Sequence, residues 1–442
     1  MRLFHGILTF VLLVTTIVLA GALGWFVFSR QPTLVNEPAR PDAPPFGIRG
    51  DYTVGVRQYT ISDADGNRDL NAWVWYPATG AEGTPADGGE VNEDGLVRYI
   101  QFNGLFETSG YAGWNLPVFV DNAPYPLVVF SHGSGSSPLL SLFLVEHLAS
   151  QGFVVIATEH PGNTMVDRLR SAEQYDQAVN DNYVFRPQDI PRAIDFALDD
   201  LNAVSGDLDG AIDPERIAVS GHSFGGYTAF AAAGAPLNFD ALADWCESDG
   251  QQRIGDLRSE AGLTDSNRDV LLADGVCYLL DDAERMADLN GLDSVPEGAW
   301  ESFGDPRISA VIGFAPWNAP IFGEDSLAQI TMPTLVIVGG NDNTTQPERD
   351  ARNFYGWVSS ENKMLVEFAL GDHSLFVDSC APLLINFGAF DACSDPVWDM
   401  TRAHDLTNHI TTTFLRSVFY DDADAMTALN EIDFAGITVE RP

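Results

Sequence analysis

Arg216-Ile217-Ala218-Val219-Ser220-Gly221-His222-Ser223-Phe224-Gly225-Gly226-Tyr227-Thr228-Ala229-Phe230-Ala231-Ala232-Ala233 decides how this chain is read. The first five residues form an apolar run with a strand's composition. The last eight are small and helix-compatible. Between them stands G-x-S-x-G, a glycine-flanked serine at a strand-to-helix turn. Such a turn is sharp, and a side chain at Gly221 or Gly225 would crowd the neighbouring strand or helix. The frame predicts that Ser223 sits on the strained turn as a nucleophile. The ordinary alternative is a glycine-rich turn with a buried serine.

Working outward, the chain alternates between short apolar runs and helical segments. Leu127 to Phe130 and Phe153 to Ala157 read as strands, and Leu139 to Gln151 as a helix. Pro187 to Val204 reads as a second helix, and Ile217 to Val219 leads into the turn. Ile308 to Phe314, Thr334 to Val338 and Met364 to Ala369 are further strands, and Asp395 to Tyr420 is a closing amphipathic helix. Continuous apolar strands separated by helices imply a parallel sheet covered on both faces. The expectation is an α/β-hydrolase fold: a mostly parallel central sheet flanked by helices. Upstream, Tyr52 to Ile61 and Leu70 to Tyr76 read as two strands joined by a turn at 62–67. That turn has glycine in the wrong place for an EF-hand calcium loop. The excursion from Pro236 to Arg307 is too long for a crossover and reads as a cap insertion after the nucleophile helix.

A serine hydroxyl needs a base to take its proton and an acid to orient that base. In this fold the chain order is serine, acid, histidine. Of eight histidines, His373, His404 and His409 follow Ser223. His373 directly follows a strand, in Gly371-Asp372-His373-Ser374, and is the candidate general base. His404 and His409 lie within the closing helix and read as packing residues. Asp342 sits where the strand Thr334 to Val338 delivers its loop, and is the candidate acid. One strand earlier, after Phe314, no carboxylate occurs until Glu324. The oxyanion donors are expected to be the backbone amides of Phe224, after the nucleophile, and Ser134, in the loop Ser131-His132-Gly133-Ser134-Gly135-Ser136. His132 and His222 read as structural. No metal site and no cofactor are expected.

The whole chain has 442 residues, 45% hydrophobic and 19% charged, with a net charge of −40 and a single lysine, Lys363. Such a surface repels nucleic acid and anionic headgroups. Ile7 to Phe28 is uncharged and apolar, long enough for one hydrocarbon core. It reads as a transmembrane anchor within residues 1–29, with a cleavable signal ending near Ala20-Gly21-Ala22 as the alternative. Arg30 to Phe46 holds five prolines and reads as an extended, mobile linker, leaving 47–442 as the hydrolase domain. Export agrees with four cysteines and no C-x-x-C. The order of Cys246, Cys277, Cys380 and Cys393 suggests two local pairs, although four cysteines allow three connectivities.

Ser131-His132-Gly133-Ser134-Gly135, Arg186-Pro187-Gln188-Asp189-Ile190 and Gly221-His222-Ser223-Phe224-Gly225-Gly226 resemble bacterial dienelactone-hydrolase-like esterases. These are similar to the platelet-activating-factor acetylhydrolases. The likeness runs from about Tyr52 to Phe419, outside most of the cap. The mammalian acetylhydrolases carry their acid one strand earlier, where this chain has Phe314 to Trp317. Ala315-Pro316-Trp317, Met332-Pro333-Thr334, Asn341-Asp342 and Gly371-Asp372-His373-Ser374 are similar to cutinase-like polyester hydrolases. That resemblance makes Trp317 a candidate substrate contact. Together these features imply an exported serine carboxylic-ester hydrolase acting on short-chain or lipid-type esters. Acyltransfer or amide cleavage by the same triad, and a catalytically inactive binding module, are the alternatives.

Overall fold

Neighbouring residues of each central strand are buried on opposite faces of one sheet. Val129, Val219, Val311, Val336 and Leu365 belong to one hydrophobic cluster. Their neighbours Val128, Ala218, Ile312, Leu335 and Val366 belong to the other. A strand buried on both sides can be apolar throughout, which explains the unbroken runs in the sequence. The computed structural model describes residues 34–35, 38–63, 67–81, 97–101, 106–250, 276–380 and 390–442.

The strands are β1 (Thr53–Ile61), β2 (Leu70–Ala78), β3 (Tyr125–Ser131), β4 (Val154–Thr158), β5 (Ile212–His222), β6 (Ile308–Phe314), β7 (Thr334–Gly339), β8 (Lys363–Phe368) and β9 (Ile437–Glu440). Among the described residues they lie in the order β9-β8-β7-β6-β5-β3-β4-β2-β1, with the two-residue strand Gly113–Trp114 beyond β1. From β8 to β4 all pairs are parallel, whereas β2 and β1 pair antiparallel at one side and β9 at the other. The chain passes from β3 outward to β4, then returns across β3 to β5. The order therefore reverses between β3 and β5, and loops leaving their C-terminal ends diverge there. This is where open α/β sheets form their clefts.

Helices α1 (Leu142–Ser150), α2 (Ala172–Asp195), α3 (Phe224–Ala232), α4 (Phe239–Trp245), α5 (Ala283–Leu289), α6 (Ala351–Trp357) and α7 (Met400–Phe419) cover the faces. Every residue of α3 is buried. Its small side chains permit that depth: a Cβ at Gly226 would lie 2.6 Å from Pro316 Cα.

Three sequence expectations change here. The helix expected from Pro187 begins fifteen residues earlier, at Ala172, and holds Pro187 and Pro191 in its interior. Pro187 has no N–H for the carbonyl of Tyr183. The Tyr227 hydroxyl donates to that carbonyl instead, at 2.7 Å, so the buried acceptor is satisfied from α3. The segment 38–46, expected to be mobile, is docked: Arg40 N donates to Asp405 at 3.0 Å and Arg402 donates to the Asp42 carbonyl at 3.0 Å. A third finding is a four-stranded second sheet of Ser379–Cys380, Leu34–Val35, Phe106–Gly110 and Val97–Gln101, whose strands of two to five residues are too short to carry a periodic signal.

The excursion after α3 packs α4 and α5 onto the main core through Phe239, Leu242, Leu279 and Met286. Arg285 pairs with Asp181 of α2 at 2.7 Å. Cys246 is bonded to Cys277 across 31 residues of sequence, and Cys380 to Cys393 across 13. The apolar stretch 7–28 lies outside the described residues; among those described, no helix is long and apolar enough to cross a membrane. Lys363, at the start of β8, donates to the Val358 carbonyl at the end of α6, at 2.8 Å.

Candidate active site

Ser223 follows β5 with φ 58° and ψ −120°, a conformation that side chains other than glycine's disfavour. Such strain persists only where the surroundings fix it. Its N–H donates to Phe314 O at 2.9 Å, and its carbonyl accepts from Gly226 N at 2.9 Å and Trp317 N at 3.1 Å. The flanking glycines are required by close approach. A Cβ on Gly225 would overlap the Ser131 carbonyl, and one on Gly221 the Gly225 carbonyl. The turn is thus wedged between the ends of β3 and β6.

His373 and Asp342 come together from the loops after β8 and β7. Asn341 N donates to Gly371 O at 2.9 Å, which ties the two loops. His373 Nδ1 donates to Asp342 Oδ2 at 2.7 Å. Asp342 also accepts from the amides of Thr344 and Thr345, both at 2.8 Å, and from the Thr345 hydroxyl at 2.6 Å. Four donors thus satisfy one buried carboxylate. Burial opposes its ionisation, but His373 and the Thr345 bonds outweigh it and hold the pKa below the ordinary value. Burial likewise opposes an imidazolium at His373, yet the adjacent Asp342 charge outweighs it and raises that pKa.

The His222 ring centroid lies 4.6 Å from that of His373, and His222 Nε2 donates to the His373 carbonyl at 3.2 Å. Burial, then the His373 charge, lowers the His222 pKa to about 3, so it braces the loop as a neutral ring. No hydrogen bond joins the Ser223 hydroxyl to His373 among the described residues. Such bonds are commonly long in free enzymes and tighten on substrate.

Gly133 passes beside Ser223: a Cβ there would lie 3.5 Å from Ser223 Cβ. Ser134 follows it. Phe224 opens α3, where amides have no helical partner. Trp317 is half-buried beside the turn. Its Nε1 donates to Tyr183 Oη at 2.5 Å, and the Arg349 guanidinium lies 4.7 Å from its ring centroid. Asp372 accepts from the His373 amide at 2.7 Å, while His404 is buried and stacks on Phe143 at 3.9 Å. The sequence reading did not identify Thr345, which follows directly on Thr344, the residue two after Asp342 whose amide closes an Asx turn on its carboxylate. It also missed Tyr183, whose neighbours come from three distant segments. Among the described residues no group of three His, Cys, Asp or Glu side chains is placed to hold a metal ion.

The chain matches the alpha/beta hydrolase family over residues 128–384, more than half its length. It matches platelet-activating factor acetylhydrolase, isoform II, over residues 48–190. The platelet-activating factor acetylhydrolase of Canis lupus familiaris is 30% identical over 160 residues, which cover 29% of this chain and 36% of that protein. The Gallus gallus protein of the same name is 26% identical over 160 residues, covering 27% and 38%. The chain thus spans somewhat over a third of the length of these relatives. A ferulic acid esterase from Streptomyces cinnamoneus superposes with a TM-score of 0.53 at 17% identity, over 92% of this chain and all of that one, a likeness of fold. With the family match running from β3 past the His373 loop, this chain belongs to the alpha/beta hydrolase family.

Proposed function

We propose that the protein is a serine carboxylic-ester hydrolase. One observation carries the reading: a strained serine at the sheet's switch point shares its cleft edge with a 2.7 Å His373–Asp342 pair. In the proposed cycle His373 Nε2 takes the Ser223 proton as Oγ attacks the ester carbonyl. The Phe224 and Ser134 amides stabilise the oxyanion. Asp342 holds the imidazole with its proton on Nδ1 and stabilises the imidazolium that forms. The alcohol leaves with the proton from His373. Water, deprotonated by the same histidine, then releases the acid from the acyl-enzyme.

The partial likeness to platelet-activating factor acetylhydrolases supports short-chain or lipid-type esters as substrates. Trp317 is proposed to line the acyl side, and the excursion 236–307 to act as the cap that limits chain length. The two disulfides fit an oxidising compartment outside the cytoplasm. Residues 7–28 are proposed to tether the protein to a membrane, which carbonate extraction of membranes from expressing cells would test. The decisive enzymatic test is hydrolysis of p-nitrophenyl esters of increasing chain length by wild type and Ser223→Ala. Loss of at least 10³-fold in kcat is expected for Ser223→Ala. Wild-type turnover by that variant would overturn the proposal.

A further inference from the structure

Beneath the loop that carries Ser134 lies a second serine–histidine–aspartate chain. Ser131 Oγ is 2.9 Å from His160 Nε2, and His160 Nδ1 is 2.8 Å from Asp189 Oδ2. All three residues are buried, with at most 1% exposure. Ser131 cannot meet a substrate, so this chain is not a second catalytic centre. We propose that it positions the Gly133–Ser134 peptide, so that the Ser134 N–H is preset to receive the oxyanion. The proposal rests on the hydrolase reading above and deepens it.

The proton positions follow from bookkeeping of donors and acceptors. His160 gives its Nδ1–H to Asp189, which leaves Nε2 to accept from the Ser131 hydroxyl. Ser131 Oγ in turn accepts from Arg186 Nη2 at 3.0 Å. The backbone N–H of His160 donates to His132 Nε2 at 3.2 Å. His132 is neutral, because burial and then the Arg186 charge oppose its protonation. Its one ring proton is therefore on Nδ1, where it donates to the Gly133 carbonyl at 2.7 Å. The Gly133–Ser134 bond is trans, so its C=O and N–H point in opposite directions. Pinning the Gly133 oxygen onto His132 aims the Ser134 N–H away from it.

Arg186 joins this chain to the rest of the oxyanion site. Its Nη2 also donates to the His132 carbonyl, fixing the preceding peptide. Its Nη1 donates at 2.7 Å to Asn163 Oδ1, and the Asn163 carbonyl accepts from Gly135 N at 3.1 Å. The guanidinium carbon lies 4.6 Å from the ring centroid of Phe224, the residue supplying the other donor amide. One buried cation thus clamps both halves of the oxyanion site. Arg68 anchors the far end, pairing with Asp189 at 2.6 Å. Ser131, His132, His160, Asp189 and Arg186 are positioning residues in this scheme.

The test uses Arg186→Met, Arg186→Lys and Ser131→Ala in the full chain, each with its thermal midpoint measured. Ser131→Ala removes one hydroxyl and keeps the proposal testable if Arg186→Met does not fold. Arg186→Met is expected to lower kcat for p-nitrophenyl acetate about 10²-fold with KM within threefold. It should weaken a trifluoromethyl ketone, which mimics the tetrahedral intermediate, by the same factor. Arg186→Lys should recover about tenfold of that loss, and Ser131→Ala should lose about tenfold. Crystal structures should show the Gly133–Ser134 peptide rotated or split between two orientations. A folded Arg186→Met or Ser131→Ala variant with unchanged kcat and ketone affinity overturns the proposal. So does a peptide held in its original orientation in the folded variants. Wild type that cleaves no ester would strike the hydrolase reading alone, since peptide orientation is read without turnover.

Discussion

Replacing Asp342 by asparagine separates its structural bonds from the one proposed for catalysis. Oδ1 accepts from the amides of Thr344 and Thr345, and the asparagine oxygen can keep both bonds. The Oδ2 position becomes NH2. It then faces the Thr345 hydroxyl, which can turn to accept, and His373 Nδ1. An NH2 donating to Nδ1 forces the imidazole proton onto Nε2, the nitrogen proposed to accept from Ser223. The expected cost is roughly 10⁴-fold in kcat, or about 5.5 kcal/mol of barrier. The stability change should stay within about 2 kcal/mol, because most of the bonds survive. Rates against pH and thermal unfolding measured together provide the assay. In wild type the acid limb should lie above the ordinary histidine value of 6.5, since Asp342 outweighs burial in setting the His373 pKa. Without the carboxylate, burial dominates, and any residual activity should have its limb at lower pH. Asp342→Asn retaining kcat within tenfold of wild type, with an unmoved limb, would refute the assignment. It would be replaced outright if Glu324→Gln caused the loss instead.

Other sites give further expectations. Gly225→Ala sets a Cβ against the Ser131 carbonyl, a backbone atom that cannot step aside; a loss above about 3 kcal/mol in urea unfolding is expected. Asp378 accepts from the first two amides of α1, Leu142 N at 2.8 Å and Phe143 N at 2.9 Å, and follows the His373 turn. Asp378→Ala should cost about 3 kcal/mol by leaving buried donors unpaired. Burial raises the Asp378 pKa to about 7, so its contribution fades as pH rises through that value; the difference from wild type should be larger at pH 5 than at pH 8. Removing the 246–277 disulfide by paired serine substitutions should cost about 3.5 kcal/mol for its 31-residue span, read as a fall in thermal midpoint. Trp317→Ala should raise KM for longer acyl chains more than for acetate in a p-nitrophenyl ester series, and equal effects on both would remove Trp317 from the acyl side.

Legibility in the sequence tracked how local each signal is. The runs Leu127–Phe130 and Thr334–Val338 announced strands because residues buried on both faces of a sheet must be apolar in succession. Ser223 was legible because its turn demands glycines at fixed offsets. Pro187 misled for a different reason. The Tyr183 carbonyl it leaves without a helical donor accepts instead from the hydroxyl of Tyr227, forty-four residues from Tyr183 by sequence, and no local rule anticipates that partner. The docking of 38–46 onto α7 and the Asp189–His160–Ser131 chain were hidden likewise. Their residues are ordinary alone and become informative only when distant elements meet, 38–46 on α7 in the first case and β3, β4 and α2 side by side in the second. Strand ends also drifted: β5 begins at Ile212, five residues before its apolar core, because backbone pairing continues past the burial that the pattern reports.

Lys363 has a practical consequence for attaching this protein to a surface. It is the only lysine side chain in the sequence, and it opens the strand whose far end leads to His373. Six strand residues separate the two ends by roughly 20 Å. Amine-directed coupling through that side chain would break its bond to the Val358 carbonyl and grip the sheet from the edge opposite the cleft. A bead or electrode linked there would leave the cleft facing the bulk solution. Every molecule joined through this side chain would adopt the same orientation, a uniformity that a lysine-rich hydrolase lacks.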